Sequence, residues 1–326
     1  MSGKFLDVKN LRTYFNTPEG VAKAVDGVSF SIDKGETLAL VGESGCGKTV
    51  TSTSLIRLLP TNADMNADHI ILEDRDITKV SKEEARLIRG KKISMIFQEP
   101  MTSLDPSYKI KKQIGEVYKT HFPEMSVAEI LERSKEMLKK VGVPDPAERL
   151  EVYPHQLSGG LRQRVMIAIC LAASPPLVIA DEPTTALDVT IQAQILDLLK
   201  ELQAENNMSL LLITHDFGVV SQIAKRVAVM YAGKIVEEGN TRDIFKDPWH
   251  PYTKLLILSI PGIKVKRGGK LEAISGNVPN PLKFPQGCRF HTRCPYVMDI
   301  CRHEEPPEIQ KDGRRVSCFL RGENHG

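Results

Sequence analysis

Residues 42 to 49, Gly42-Glu43-Ser44-Gly45-Cys46-Gly47-Lys48-Thr49, form a glycine-rich loop closed by a lysine and a hydroxyl residue. Its flanks give it weight. Thr37-Leu38-Ala39-Leu40-Val41 is a short apolar run suited to a buried parallel strand, and residues 48 to 59 carry leucines and an isoleucine at helical spacing. Strand, loop and helix in that order read as a phosphate-binding loop; an ordinary glycine turn with a surface lysine needs neither flank. Gly42, Gly45 and Gly47 let backbone N–H groups approach an anion at a helix N-terminus. Lys48 would reach the β- and γ-phosphates, and the Thr49 hydroxyl would ligate Mg²⁺. Gly42, Ser44, Gly45, Cys46, Gly47, Lys48, Thr49 and Val50 are therefore the candidate nucleotide contacts of this stretch, with the Cys46 side chain itself read as packing.

The 326 residues can hold one large domain and one small one. With 44 basic and 41 acidic residues the net charge is +3, too balanced to argue for a nucleic-acid surface, and nucleic acid is not an expected partner. No apolar run approaches the roughly eighteen residues of a spanning helix, and Lys4, Asp7 and Lys9 leave no signal-peptide core, so a cytosolic chain is expected. Six cysteines in such a chain read as thiols or metal ligands before disulfides, and four of them lie between 288 and 318.

Residues 4 to 9 and 21 to 32 alternate apolar and polar positions around Pro18, Glu19 and Gly20, the pattern of an antiparallel hairpin. Tyr14 and Phe15 are placed in its turn. Either ring could stack on a purine or pack on the core, and Phe15 is preferred. His69-Ile70-Ile71-Leu72 reads as a strand, followed by a charged helix capped by Ser81. Ile93 to Phe97 reads as another strand with Gln98 at its end, where α/β sheets place ligand contacts, although alone Gln98 reads as a turn residue. Residues 107 to 150 switch to helical patterning, an insertion into the α/β unit.

Leu157-Ser158-Gly159-Gly160-Leu161-Arg162-Gln163-Arg164 opens a helix through about 173, with Ser158 as N-cap and two glycines baring backbone amides: a second anion site, or simple close packing. Leu177 to Ala180 is a buried strand ending in Asp181 and Glu182, and adjacent carboxylates there are expensive unless they serve a cation or a proton. Asp181 fits a Mg²⁺ partner and Glu182 the base that polarises an attacking water. Asp188 caps a helix over 188 to 206. Ser209 to Thr214 is one more buried strand, ending at His215, which alone reads as a hydrogen-bonded histidine. A hairpin over 226 to 238 turns at Ala232-Gly233, and residues 262 to 287 read as an irregular connector.

The order of these motifs (phosphate loop, Gln98, Leu-Ser-Gly-Gly, Ile-Ala-Asp-Glu-Pro, Ala-Leu-Asp, Thr-His-Asp) resembles the nucleotide-binding subunits of ABC transporters. The resemblance implies an α/β P-loop NTPase core of the ABC type with an antiparallel β subdomain, a helical subdomain at about 100–165 and a small Cys-rich C-terminal domain. It places Lys48 and Thr49 in Walker A, Asp181 and Glu182 in Walker B, and Gln98 in the Q-loop with a part in Mg²⁺ binding. Ser158, Gly159 and Gly160 match the signature that caps ATP in trans, Asp188 the D-loop, and His215 the switch histidine. Lys48, Gln98, Glu182 and His215 are then the catalytic candidates, and ATP joins two subunits that hydrolysis releases.

Trp249-His250-Pro251-Tyr252-Thr253-Lys254-Leu255-Leu256, then Ser259-Ile260-Pro261 and a four-cysteine stretch, resembles the oligopeptide and dipeptide importer ATPases. That narrows the implied function to ATP-driven import of di- and oligopeptides, with nickel or another small solute as alternative. A soluble ABC-type ATPase fits the core motifs but not this tail, and a P-loop kinase explains neither residues 157–164 nor the acidic pair. The implied domains are 1–248 and a 249–326 extension. Implied partners are a second ATPase subunit, a related different chain being favoured, two transmembrane permease subunits and, indirectly, an extracytoplasmic solute-binding protein, with the chain peripheral on the cytoplasmic face of the membrane. Cys288, Cys294, Cys301 and Cys318 are spaced C-x₅-C-x₆-C-x₁₆-C. The wide spacing and the resemblance favour a four-iron four-sulfur cluster, with Zn²⁺, disulfides or free thiols as alternatives.

Overall fold

The computed structural model describes residues 4–99, 103–185, 188–260 and 274–322. The chain divides into two compact units, Met1–Lys79 with Leu212–Gly326, and Val80–Leu211.

In the first unit, β1 (Lys4–Thr17) and β2 (Gly20–Asp33) form an antiparallel hairpin closing at Thr17 and Gly20. The first strand is longer than its alternating pattern over 4–9 predicts. Register shifts keep Leu6, Val8, Leu11 and Thr13 buried, and Tyr14 and Phe15 lie inside β1 instead of in its turn. The fully buried β3 (Thr37–Val41) runs into the glycine loop and α1 (Lys48–Leu55). That helix stops short of residue 59. The hydroxyls of Thr51, Ser52, Thr53 and Ser54 all donate back to carbonyls of the preceding turn, and Arg57 takes a positive φ of 56° before Pro60. The short strands β4 (Ala63–Asn66) and β5 (His69–Leu72) pair with β1, and β6 (Arg75–Asp76) with β5.

The second unit opens with α2 (Lys82–Lys91), whose Ser81 and Glu84 form a complete capping box, and β7 (Ile93–Ile96). The helical stretch resolves into α3 (Ile110–His121), α4 (Val127–Lys140) and α5 (Pro146–Leu150). Then come α6 (Gly159–Leu171), β8 (Leu177–Asp181), parallel to β7, and α7 (Val189–Asn206).

β9 (Ser209–Thr214) leads the chain back into the first unit at Leu212. After α8 (Phe217–Ile223), β10 (Arg226–Tyr231) lies parallel to β3 and turns through Ala232 and Gly233, both at positive φ, into β11 (Lys234–Asn240). α9 (Thr241–Lys246) and α10 (Pro251–Leu258) follow. In the tail, α11 (Ile300–His303) precedes a hairpin that the sequence pattern did not announce, β12 (Glu308–Lys311) with β13 (Arg314–Ser317), and β13 pairs antiparallel with β11. The tail contributes to the core of the first unit: the rings of Tyr231, Tyr252 and Phe290 lie 4.6–5.3 Å apart, all three buried.

Candidate functional site

The glycine loop is shaped by crowding. A Cβ on Gly42 would stand 2.2 Å from the Met230 carbonyl oxygen, and one on Gly47, at φ +108°, 2.4 Å from that of Ala24. Strand β10 and the β2 hairpin thus press the loop from both sides, leaving no room for any other residue type. The buried Lys48 ammonium donates to the carbonyls of Gly42 at 2.8 Å and Glu43 at 3.0 Å. Ser44, Gly45 and Thr49 are exposed, Val50 is half-buried, and Cys46 is buried, its thiol pushed up by desolvation and so inert.

The two aromatic candidates part company on β1. The Thr13 hydroxyl lies 2.8 Å from that of Ser54 on α1, so odd positions here face the phosphate-loop helix. Pairing with β4 runs without a shift from Arg12 to Phe15, so Phe15 shares the face of Thr13. Tyr14 is turned the other way, its hydroxyl donating to Asp26 at 2.5 Å. Burial and that hydrogen bond push the Tyr14 phenol up to about 12. Asp26, despite its own burial, is held below the usual carboxylate range by Tyr14 and Arg289.

In the second unit the structure brings Gln98 and Glu182 together. The Gln98 amide donates to Glu182 Oε2 at 3.0 Å, and the Thr185 hydroxyl to the same oxygen at 2.9 Å. Glu182 sits at a φ of +46°, a left-handed conformation that costs energy in a non-glycine residue and is closed by a Thr185 N–H bond to its carbonyl. Asp181 is buried at the end of β8. Gln163, buried on α6, donates to the Pro183 carbonyl at 2.7 Å and ties the signature helix to the acidic turn. At the start of α6 the Ser158 oxygen accepts from the Leu161 N–H at 3.4 Å, with Ser158 and Gly159 exposed. Asp188 caps α7 as its sequence predicts, while Ala186 and Leu187 lie outside the described residues. His215, in the first unit, is exposed at the end of β9, and Asp216 caps α8.

Cys288, Cys294, Cys301 and Cys318 line one small cavity with His250 and His291. Cys288 N–H donates to the Cys301 carbonyl at 2.9 Å. Burial pushes the Cys288 thiol up to about 11 and that of Cys318 to about 12. Four thiols around one cavity is a chemically sufficient donor set for iron–sulfur or zinc. Among the described residues, however, no three His, Cys, Asp or Glu side chains stand in an arrangement that would hold a metal ion.

Residues 25–185 match the ABC transporter family, and residues 236–301 the C-terminal region of oligopeptide/dipeptide transporters. The dipeptide transport ATP-binding protein DppD of Bacillus subtilis is 50% identical over 97% of this chain and 95% of its own length. The chain belongs to the ABC transporter family. The oligopeptide transport ATP-binding protein AppD of the same organism is 52% identical, over 97% of this chain and 96% of its own length. The fold agrees: the ABC ATPase is similar to the dimeric ATP-binding cassette MJ0796 bound to ADP and Pi, with a TM-score of 0.65 and 28% identity, over 73% of this chain and 99% of that one. The ABC chain is accordingly an α/β ATPase whose substrate is ATP and whose expected metal is Mg²⁺. Its sequence hid Thr185 and Gln163, which hold the acidic turn, and Arg293 and Tyr252, which reach Glu43 in the phosphate loop from the tail. Gln163 and Tyr252 fall inside stretches the sequence singles out, but nothing local states the bonds they make; Thr185 closes a turn on Glu182, and Arg293 reaches Glu43 across 250 positions.

Proposed function

We propose that this ABC ATPase powers import of dipeptides or oligopeptides across the cytoplasmic membrane, as one of two ATP-binding subunits docked on transmembrane permease subunits. The observation that carries the proposal is the continuous similarity to dipeptide and oligopeptide transport ATP-binding proteins, which runs past the cassette into the oligopeptide/dipeptide region over 236–301. Among the described residues no helix is long and apolar enough to cross a membrane, in keeping with a peripheral subunit that meets the cytoplasmic face through its permease. Extracytoplasmic solute-binding protein acts through the permease. Reconstituted with permease, partner ATPase and solute-binding protein, the chain should raise its ATP turnover when a short peptide is added. Turnover that answers to Ni²⁺ and ignores peptides would replace the proposal.

In this reading Gly42, Ser44, Gly45, Cys46 and Gly47 wrap the phosphates with backbone amides, Lys48 neutralises the β- and γ-oxygens, and Val50 and Phe15 contact the nucleoside. Phe15 is chosen over Tyr14 for its shared face with Thr13. Thr49 and Asp181, with Gln98, would hold Mg²⁺, which withdraws charge from the phosphate oxygens. Glu182 orients and deprotonates the attacking water. The Gln98 amide and the Thr185 hydroxyl keep the Glu182 carboxylate in one rotamer. His215 steadies the γ-phosphate. Ser158, Gly159 and Gly160 would offer amides to the ATP of the second subunit, a related different chain, so that two subunits close on nucleotide and part after hydrolysis.

In the same proposal the four tail cysteines would be the ligands of a four-iron four-sulfur cluster, within a C-terminal extension of the cassette. Their shared cavity supports it. Anaerobically purified protein should absorb broadly near the visible and carry iron and sulfide; colourless protein with one zinc per chain would overturn the cluster.

A further inference from the structure

Glu43 is a carboxylate inside a loop whose work is to hold a polyanion. Left to itself it would repel phosphate and loosen the loop. In this chain it is claimed by a residue 250 positions away. Arg293 donates through Nη1 to one Glu43 carboxylate oxygen at 2.7 Å and through Nη2 to the other at 2.9 Å, the planar fork that only arginine presents. Arg293 is itself held on all sides: Nε donates to the Ser275 carbonyl at 2.9 Å, Nη2 to that of Ile274 at 3.4 Å and Nη1 to the Tyr231 hydroxyl at 3.4 Å, and its side chain is 3% exposed. The Glu43 backbone is pinned as well, its N–H donating to the buried Tyr252 hydroxyl at 2.9 Å while its carbonyl accepts from Lys48. Carboxylate, amide and carbonyl of one loop residue therefore each have a fixed partner, two of them contributed from beyond the cassette motifs.

We propose that Arg293, with Tyr252, is a positioning residue of the phosphate loop: it cancels the Glu43 charge and fixes the loop backbone that presents Lys48 to the nucleotide. The inference rests on the reading that residues 42–49 hold the triphosphate. It assigns the tail a part in the nucleotide affinity of the subunit, through a guanidinium adjacent to Cys294.

The test is equilibrium binding of Mg²⁺ and a non-hydrolysable ATP analogue to the full chain, with urea unfolding followed in parallel. R293M should weaken binding on the order of tenfold, a usual size for coupling between sites. E43Q added to R293M removes the stranded charge and should restore most of the loss, and the R293M defect should shrink at high salt. A purely structural arginine would give neither the rescue nor the salt response. Parental affinity in R293M, or a double variant as weak as R293M, would overturn the proposal. K48A separates it from the reading beneath: if K48A binds as the parent does, the loop assignment fails; if K48A loses binding while R293M keeps it, only the role of Arg293 fails. Should R293M not fold, R293Q carries the same cycle.

Discussion

At the scale of single residues, strand alternation separates two neighbours that composition treats alike. Tyr14 is a half-buried, hydrogen-bonded phenol whose pKa stands at about 12 against an ordinary value of 10.0. A folded-state value above the unfolded one contributes stability that is complete below pH 10 and fades as pH rises toward 12, because only the unfolded chain then gains by losing the proton. Y14F should flatten that alkaline decline in urea midpoints and leave nucleotide binding unaltered. F15A should do the reverse, weakening nucleotide binding with no change in the alkaline limb. Glu182 belongs to the same scale. E182Q keeps the size of the side chain and its contacts with Gln98 and Thr185 but cannot take a proton, so hydrolysis should drop by on the order of 10²- to 10⁴-fold. Nucleotide binding should persist. Steady-state turnover beside equilibrium binding measures both, and turnover near the parental rate would remove Glu182 from the role of base.

At the scale of elements, whatever depended on local chemistry was legible. The strand before the phosphate loop, the Ser81 and Asp188 caps and the Ala232-Gly233 turn each rest on a few adjacent residues. The end of α1 was not, because hydroxyls that read as neutral in a helical window compete with the helix by bonding back to its carbonyls. The tail hairpin escaped for a different reason: β12 and β13 are mostly polar, and β13 gains its place by pairing with β11. Gly47 shows how a sequence motif becomes geometry. Its motif position calls for glycine without saying why, and its φ of +108° with the Ala24 carbonyl 2.4 Å from any Cβ supplies the reason. G47A must distort the loop or push β2 away, at a cost of about 1–3 kcal/mol for the forced backbone alone. Thermal unfolding should show the loss, and nucleotide binding should fail in protein that still folds.

At the scale of the whole molecule, the contacts that matter most for the tail join residues far apart in the chain, which is why no window of sequence disclosed them. Arg293 meets Glu43, Arg289 meets Asp26, and Arg315 meets Glu238. These ion pairs surround an apolar centre to which the tail gives Phe290, 1% exposed, its ring 5.1 Å from Tyr231 and 5.3 Å from Tyr252. The glycine loop lies one hydrogen bond from that centre, since Tyr252 accepts from Glu43. Removing Phe290 therefore opens a cavity between elements that also hold the nucleotide site. F290A should cost about 3–5 kcal/mol, the usual loss for a buried phenylalanine. It should also weaken nucleotide binding as Tyr252 loses the ring it packs on. A chain ending at Ile260 should fare worse, exposing the Tyr231 and Tyr252 faces and leaving Asp26 without Arg289 and Glu43 without Arg293, while Glu238 keeps Arg226. Urea unfolding of F290A and solubility of the shortened chain measure the two effects. A shortened chain that stayed soluble, bound nucleotide and unfolded at the parental midpoint would mean that the tail sits on the cassette without supporting it.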